Sequence, residues 1–392
     1  MATDGDGRTP GSVRPSLDGL TTGTAVVPAL VAAQLAVLLW TVVGAAKGSL
    51  HPALPGDVLA RFLPIADFDA PWSPSQAVEF PPLSLLVIRP LRGITNLEAA
   101  VLVHLVVQAC LHVATAIVLW RGWGARVLSR HLAFTLPILP LLLMRLDLLS
   151  VLLVAVGLLA VARDRDELGG VLLGAGVLAK IWPGVLLVLH ARRRPNVAVA
   201  GVATVAVGGL AWVAMVGWDA VGQVLGFRGA TGWHMESVAG VLYRALVGGE
   251  PAIESGAWRL GTADRRVILV LALIGIVGLA WRLWRAGSER EDQVFGVALL
   301  LVVAPLLSPQ YMAWLAVPLA LAPGRWLRDG FALVASVASM WVIFEIGPII
   351  EGAPMGWFIV VSRNLALVLL AVVAARSVAT TTDSLAHHEH PA

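Results

Sequence analysis

The sequence predicts an all-α polytopic membrane protein, a bundle of about ten to twelve transmembrane helices with two large loops on the outer face. Three observations predict it. First, 58% of the 392 residues are hydrophobic and only 14% are charged, with a mean hydropathy of +0.82. That is more apolar surface than one soluble core buries. Second, predominantly apolar runs with at most one charged residue approach the roughly 20 residues that cross a bilayer as a helix. The clearest are Thr24 to Ala46, Leu97 to Trp120, Val197 to Val216, Val267 to Trp281, Phe331 to Phe344 and Phe358 to Ala375. They are continuously apolar, unlike the alternating segments of about ten residues in an outer-membrane barrel. Third, arginine clusters punctuate these runs as topology signals do.

Arg121, Arg126 and Arg130, then Arg192 to Arg194, then Arg282, Arg285 and Arg290, then Arg325 and Arg328 mark one side. Positive residues are retained in the cytoplasm, so that side is cytoplasmic in a multi-pass plasma-membrane protein, and both termini lie with it. The net charge of +3 is spread over these clusters rather than gathered on one face, which argues against a nucleic-acid partner. Residues 1–22 read as a disordered cytoplasmic tail, 23–376 as the transmembrane domain and 377–392 as a flexible tail. The first apolar run exceeds a signal-peptide core and reads as an uncleaved helix. Cys110 is the one cysteine, so no intrachain disulfide forms; it is expected as a small buried residue.

Along the chain, a first outward loop from Gly48 to Phe80 holds Asp57, Asp67, Asp69 and Glu79, with Trp72 and five prolines. From His131 to His190, short apolar runs alternate with polar breaks at Arg145-Leu146-Asp147, Arg163 to Glu167 and Lys180-Ile181-Trp182-Pro183. Broken helices at membrane depth are tolerated where their freed backbone faces protein or a water-filled cavity. A cavity is therefore expected near Arg145, Asp147 and Lys180. A second outward loop, Gly217 to Arg266, carries Arg228, His234, Glu236, Arg244, Glu250, Glu254 and Arg259. Within it, Val238, Leu242 and Leu246 recur at the spacing of a short amphipathic helix on the membrane. No internal repeat is visible.

A carboxylate near the membrane surface acts as a general base on a hydroxyl within its reach, which makes Asp57, Asp67 and Asp69 candidates; the alternative is a solvated acidic loop. Asp67-Phe68-Asp69 also has the DxD spacing of a metal-nucleotide site, but no nucleotide-binding βαβ unit accompanies it, so no metal or other cofactor is expected. Lys180, one of two lysines, follows the apolar run Val171 to Ala179. Ionisable groups in membrane helices mark function by default, here a cation for a phosphate, against the alternative of snorkelling. Arg145 and Asp147 read equally as a mutual ion pair or as substrate contacts. His234 and Glu236 bring an imidazole and a carboxylate together. Gln310 and Tyr311, in Leu307-Ser308-Pro309-Gln310-Tyr311, are candidates to hydrogen-bond a sugar. Glu79 and Arg228 complete the candidate substrate contacts, while Gly170, Gly174 and Gly176 read as close helix packing. The tail His387-His388-Glu389-His390 resembles a metal tract only superficially.

Four places carry a resemblance: Glu79-Phe80-Pro81-Pro82-Leu83, Leu178-Ala179-Lys180-Ile181-Trp182-Pro183 with its Arg192 to Arg194 stop, Gly232 to Ser237, and Leu307 to Tyr311. In order and topology the chain resembles the GT-C glycosyltransferases, and within them glycosyltransferase family 87, the actinobacterial polyprenyl-phosphate-mannose-dependent mannosyltransferases. The resemblance implies an enzyme, a membrane-embedded inverting glycosyltransferase that moves a sugar, mannose by family, from a polyprenyl-phosphate donor to a lipid or glycan hydroxyl on the outer side of the membrane. It implies Asp57 as the base by its order after the first helix. Arg61-Phe62 stand where the family often has a tyrosine, and Asp67 or Asp69 lie nearer the Pro-Pro turn. The rival readings are a secondary transporter, against which the long loops and missing repeat count, and a non-catalytic membrane assembly partner.

Overall fold

A computed structural model describes residues 18–66, 80–226, 231–254, 257–285 and 287–376. The chain is helical almost throughout. Helix α1 runs Asp18–Ala46, followed by the one-turn helices α2 (Leu63–Ala66) and α3 (Leu85–Ile88), then α4 (Leu97–Trp123), α5 (Ala125–Thr135) and α6 (Leu139–Leu142). Next come α7 (Asp147–Ala162), α8 (Asp166–Ala179), α9 (Gly184–His190), α10 (Pro195–Val216), α11 (Trp218–Leu225) and α12 (Val238–Leu246). The last are α13 (Arg265–Trp284), α14 (Glu289–Val303), α15 (Ala313–Leu321), α16 (Trp326–Phe344), α17 (Ile346–Glu351) and α18 (Pro354–Arg376). Six helices among the described residues are long and apolar enough to cross a membrane: α1, α4, α10, α13, α16 and α18. Each coincides with one of the six runs read from the sequence. The protein is an all-α polytopic membrane protein.

The expected half-length helices are α5 to α9. Their interruptions sit where the sequence places polar breaks, and the breaks at Leu146 and Lys180 come together at one end of the bundle, called here the cavity end. Helices α8 and α10 pack through small residues. A methyl group on Gly170 would stand 2.3 Å from the Val197 carbonyl oxygen, and one on Gly174 2.6 Å from that of Gly201. That is the close approach expected of glycine in membrane helices. The main core joins α7, α9, α14, α15, α16 and α18 through residues such as Val154, Leu186, Val297, Val317, Ala335 and Leu367.

Arginines of the clusters read from the sequence also form ion pairs, several of them buried. Asp292 binds both Arg282 and, at 2.8 Å, Arg193. Glu291 takes Arg328 at 2.6 Å and Arg325 at 3.1 Å, and Asp329 takes Arg130 at 2.8 Å. Arg328 is fully buried and Arg282 nearly so. Their apolar surroundings permit charge only because each guanidinium is paired.

The second loop is more ordered than its sequence suggests. Besides α12, it contains a three-stranded antiparallel sheet of β1 (Trp233–His234), β2 (Ala252–Glu254) and β3 (Ala257–Leu260), in the order β1-β3-β2. Trp233 pairs with Leu260 and Ile253 with Trp258. Met235 and Leu260 pack on Val342, Ile349 and Val360 of α16 to α18, which seats the sheet over the bundle. Strands of two to four residues give no alternation long enough to be read as β structure. Cys110, expected to be buried, is exposed on α4. The tail residues 1–17 and 377–392 lie outside the described residues.

Candidate active site

Two breaks in the helices, the first loop and the sheet together enclose a cavity of about 810 Å³. Asp57, Arg145, Asp147, Lys180, His234, Glu236, Gln310 and Tyr311 all line it. The cavity predicted near Arg145, Asp147 and Lys180 is therefore present, and it also gathers candidates from three other segments.

Asp57 immediately precedes a single π turn, Val58–Phe62. Such turns are uncommon and recur at functional sites, because the extra residue per turn displaces the following side chains. The turn is seated by Val58 and Phe62, both buried. The Asp57 carboxylate meets Arg145 Nε at 3.1 Å and Arg61 Nε at 3.5 Å, with about a quarter of its side chain open to the cavity. The terminal nitrogens of Arg145 donate to the carbonyls of Leu54 at 2.9 Å and Ala53 at 3.2 Å, in the loop that carries Asp57. The guanidinium thus fixes the loop and presents a charge to the carboxylate. Arg145 and Asp147 do not form the mutual ion pair that their spacing allowed: helix α7 begins between them and turns Asp147 toward α8 and α15.

Asp147 is buried at the first turn of α7, where the helix dipole favours an anion. Its Oδ1 accepts from Trp314 Nε1 at 2.7 Å and stands 3.6 Å from Lys180 Nζ. Lys180 ends α8 in an extended conformation, and the following Pro183 prevents the helix from continuing. Its ammonium lies 5.5 Å from the Tyr311 ring centroid. Tyr311, Trp314 and Trp182 form a continuous stack, with centroids 4.0 and 5.8 Å apart. The carboxylate and the aromatic face together fix the position of the ammonium. Gln310 sits on the same 3₁₀ turn, Pro309–Met312, and its Oε1 accepts from Ser308 Oγ.

The opposite wall is the sheet. Arg363 of α18, fully buried, donates to the Glu236 carbonyl and, at 3.1 Å, to its Oε2; Asn364 Nδ2 donates to the same carbonyl at 3.2 Å. Ser237 Oγ then accepts from Gly240 N at 3.0 Å and starts α12. Burial pushes the Glu236 carboxyl up, against the pull of Arg363. His234 is pushed down to about 3 by burial and then by Arg259, Arg363 and Arg61, so its imidazole is neutral. Sequence reading missed Arg363, Asn364 and Trp314. Arg363-Asn364 in the long apolar run of α18 was the available signal, since a charge inside a membrane helix implies a partner.

From this polar end the cavity continues between α9, α13 and α14 as an apolar slot. Ile268, Leu271 and Ala272 line one side, Leu299, Leu300 and Val303 another. The other face of α13 is exposed at Leu269, Leu273 and Ile276, as a lipid-facing helix is.

Of the residues predicted from sequence, Asp67, Asp69, Glu79 and Arg228 lie outside the described residues. No group of three or more His, Cys, Asp or Glu side chains able to hold a metal occurs among the described residues. Among curated proteins none matches the chain. A family model described as glycosyltransferase family 87 matches residues 79–309, more than half of the sequence and most of the segments that wall the cavity. A membrane bundle enclosing a charged cavity and this match together place the chain in one family: it belongs to glycosyltransferase family 87.

Proposed function

We propose that this glycosyltransferase moves a mannosyl group from a polyprenyl-phosphate donor to an acceptor hydroxyl, with inversion, at the outer face of the plasma membrane, both termini being cytoplasmic. The observation that carries this reading is the joining of a charged pocket to an apolar slot in one cavity. A donor whose phosphate separates a sugar from a long hydrocarbon chain matches that division. Its chain fits between α13 and α14, its phosphate faces Lys180 and Arg145, and its sugar lies toward Tyr311 and Gln310. Asp57 removes the proton from the acceptor hydroxyl, and the freed oxygen attacks the anomeric carbon opposite the departing phosphate. Lys180 and Arg145 stabilise the charge that develops on that phosphate, the usual source of a large rate effect. Arg145 also restrains Asp57, whose reach to the hydroxyl is set by the loop it closes. Mannose is supported by the family resemblance alone.

The test is transfer of radiolabelled mannose from synthetic polyprenyl-phosphate-mannose by the purified protein in lipid, with a membrane extract as acceptor. A labelled product that disappears in Asp57→Asn supports the reading. Product only with a polyprenyl-phosphate glucose or arabinose corrects the sugar. No product with any lipid-linked donor, alongside turnover of a nucleotide sugar, overturns it.

A further inference from the structure

Helix α4 carries a second polar feature that the cavity does not use. His104, Gln108, His112 and Thr115 are all buried, and at about 100° per residue they fall within an arc of about 80° on one face of the helix. From His104 to His112 the stripe covers about 12 Å of helix axis. At one end His104 lies against Phe62, with ring centroids 5.2 Å apart, and beside Arg145 and Asp57. At the other end His112 stacks on His131 at 5.5 Å and meets Gln34 Oε1 at 2.6 Å.

Hydrogen bonding fixes the state of His112. Gln34 Nε2 donates to the Leu132 carbonyl and to Thr135 Oγ1, each at 2.9 Å, so its Oε1 is an acceptor. His112 therefore carries its proton on Nε2 and presents a lone pair at Nδ1. That Nδ1 has no protein partner. Neither do the two amide atoms of Gln108, nor do the ring nitrogens of His104 and His131 make a hydrogen bond of ordinary geometry. The polar backbone groups nearest the last two rings are those of Arg145 and of Ala316. So many orphaned polar atoms in one stripe, inside the membrane, carry a desolvation penalty that apolar neighbours do not return.

The ligand that satisfies them is constrained. It must accept from an amide and donate to an imidazole lone pair within a few ångströms, and it must be small, because the stripe faces protein. A single metal ion does not serve: His104 and His112 are about 12 Å apart along the helix, and the His112 and His131 rings lie face to face, at an interplanar angle of 29°. Lipid has no access to His104, Gln108 and His131, which have no exposed surface, and only the His112 end borders an apolar pocket with Leu35 and Val113. Water meets every condition, as it makes about three hydrogen bonds when buried in a polar site. We propose that this face of α4 binds a chain of internal water molecules running from the Asp57–Arg145 pair to His131. The chain gives that pair an aqueous contact from behind, separate from the opening of the cavity. The assignment does not depend on which donor the enzyme uses.

X-ray hydroxyl-radical footprinting of the full chain in lipid nanodiscs tests it, because radicals formed from bound water oxidise the side chains they touch. With His234 in the cavity as reference, His104, His112 and His131 are expected to react within about tenfold of its rate. Gln108→Leu, which cuts the chain in the middle, lowers the rates at His112 and His131 about fivefold or more and leaves His234 unchanged. Wild-type rates far below that of His234 overturn the proposal, and so does fast labelling that Gln108→Leu leaves untouched. Thermal unfolding gives an independent sign. A dry stripe gains stability when leucine replaces an unpaired amide, whereas a hydrated one loses it. If Gln108→Leu does not fold, the wild-type rates decide alone.

Discussion

Asp57 and Arg145 lie on different sides of α4 in the sequence, yet their side chains meet at 3.1 Å, and the same guanidinium holds the carbonyls of Ala53 and Leu54. One side chain thus orients the carboxylate and closes the loop that bears it. Asp57→Asn keeps the shape of the side chain and removes the base. Transfer is expected to fall by about 10²–10⁴-fold, the usual contribution of general-base catalysis, with an unchanged melting transition. Full activity in this variant, with loss in Asp67→Asn or Asp69→Asn, moves the base to those residues.

Arg145→Lys keeps the charge but not the fork of donors, so it does not replace the two carbonyl bonds. The expected result is a kcat loss of at least tenfold with a smaller change in donor KM, read from initial rates. Equal activity in Arg145→Lys means that charge alone suffices.

Trp314→Phe preserves the stack with Tyr311 and Trp182 and deletes the N–H that binds Asp147. Asp147 is buried, with its Oδ2 already unpartnered, so losing a donor costs about 1–3 kcal/mol. Thermal unfolding in detergent measures it. Trp314→Phe combined with Asp147→Asn is expected to recover part of the loss, since a neutral amide needs less compensation.

The Glu236–Arg363 pair joins the sheet to α18 inside the protein. Arg363→Met leaves a buried carboxylate unpaired and costs about 3–5 kcal/mol. Adding Glu236→Leu removes the orphaned charge and restores much of that stability, though not activity, because the sheet wall of the cavity is altered. A double-mutant cycle by thermal unfolding reads the coupling, and additive losses mean that the two side chains act independently.

His234 makes stability depend on pH. Its folded value of about 3 lies below the ordinary 6.5, so between those values the unfolded chain binds a proton that the folded chain refuses. Stability therefore falls as pH drops through this window, by up to about 1.4 kcal/mol per unit, and is flat above it. His234→Gln removes the contribution. Its melting temperature is expected to drop less than that of the wild type between pH 6.5 and about 4.5. An identical slope in both proteins shows that other groups set the acid sensitivity.

The six long apolar runs map onto six helices because hydrocarbon solvent leaves the backbone no other way to satisfy itself over that length. The same rule made the broken segment around Arg145, Asp147 and Lys180 legible as a cavity. The partners of these charges were not legible. Arg145 and Asp147 are close enough in sequence to pair, but the start of α7 turns one to Asp57 and the other to Lys180 and Trp314. The arginine clusters were readable as topology signals, not as the buried network built on Glu291, Asp292 and Asp329.

By itself, then, the sequence determined the solvent, the class of fold and the segments that contribute to the site, since hydropathy and helix-breaking residues act locally. Tertiary structure alone decided which charges meet. Arg363 in α18 binds Glu236 in the sheet, and His112 in α4 stacks on His131 in α5. Such pairings depend on helix rotation and on the route of a loop. The packing of the whole bundle sets both, and the strength of each ion pair follows from the low-dielectric surroundings that this packing creates.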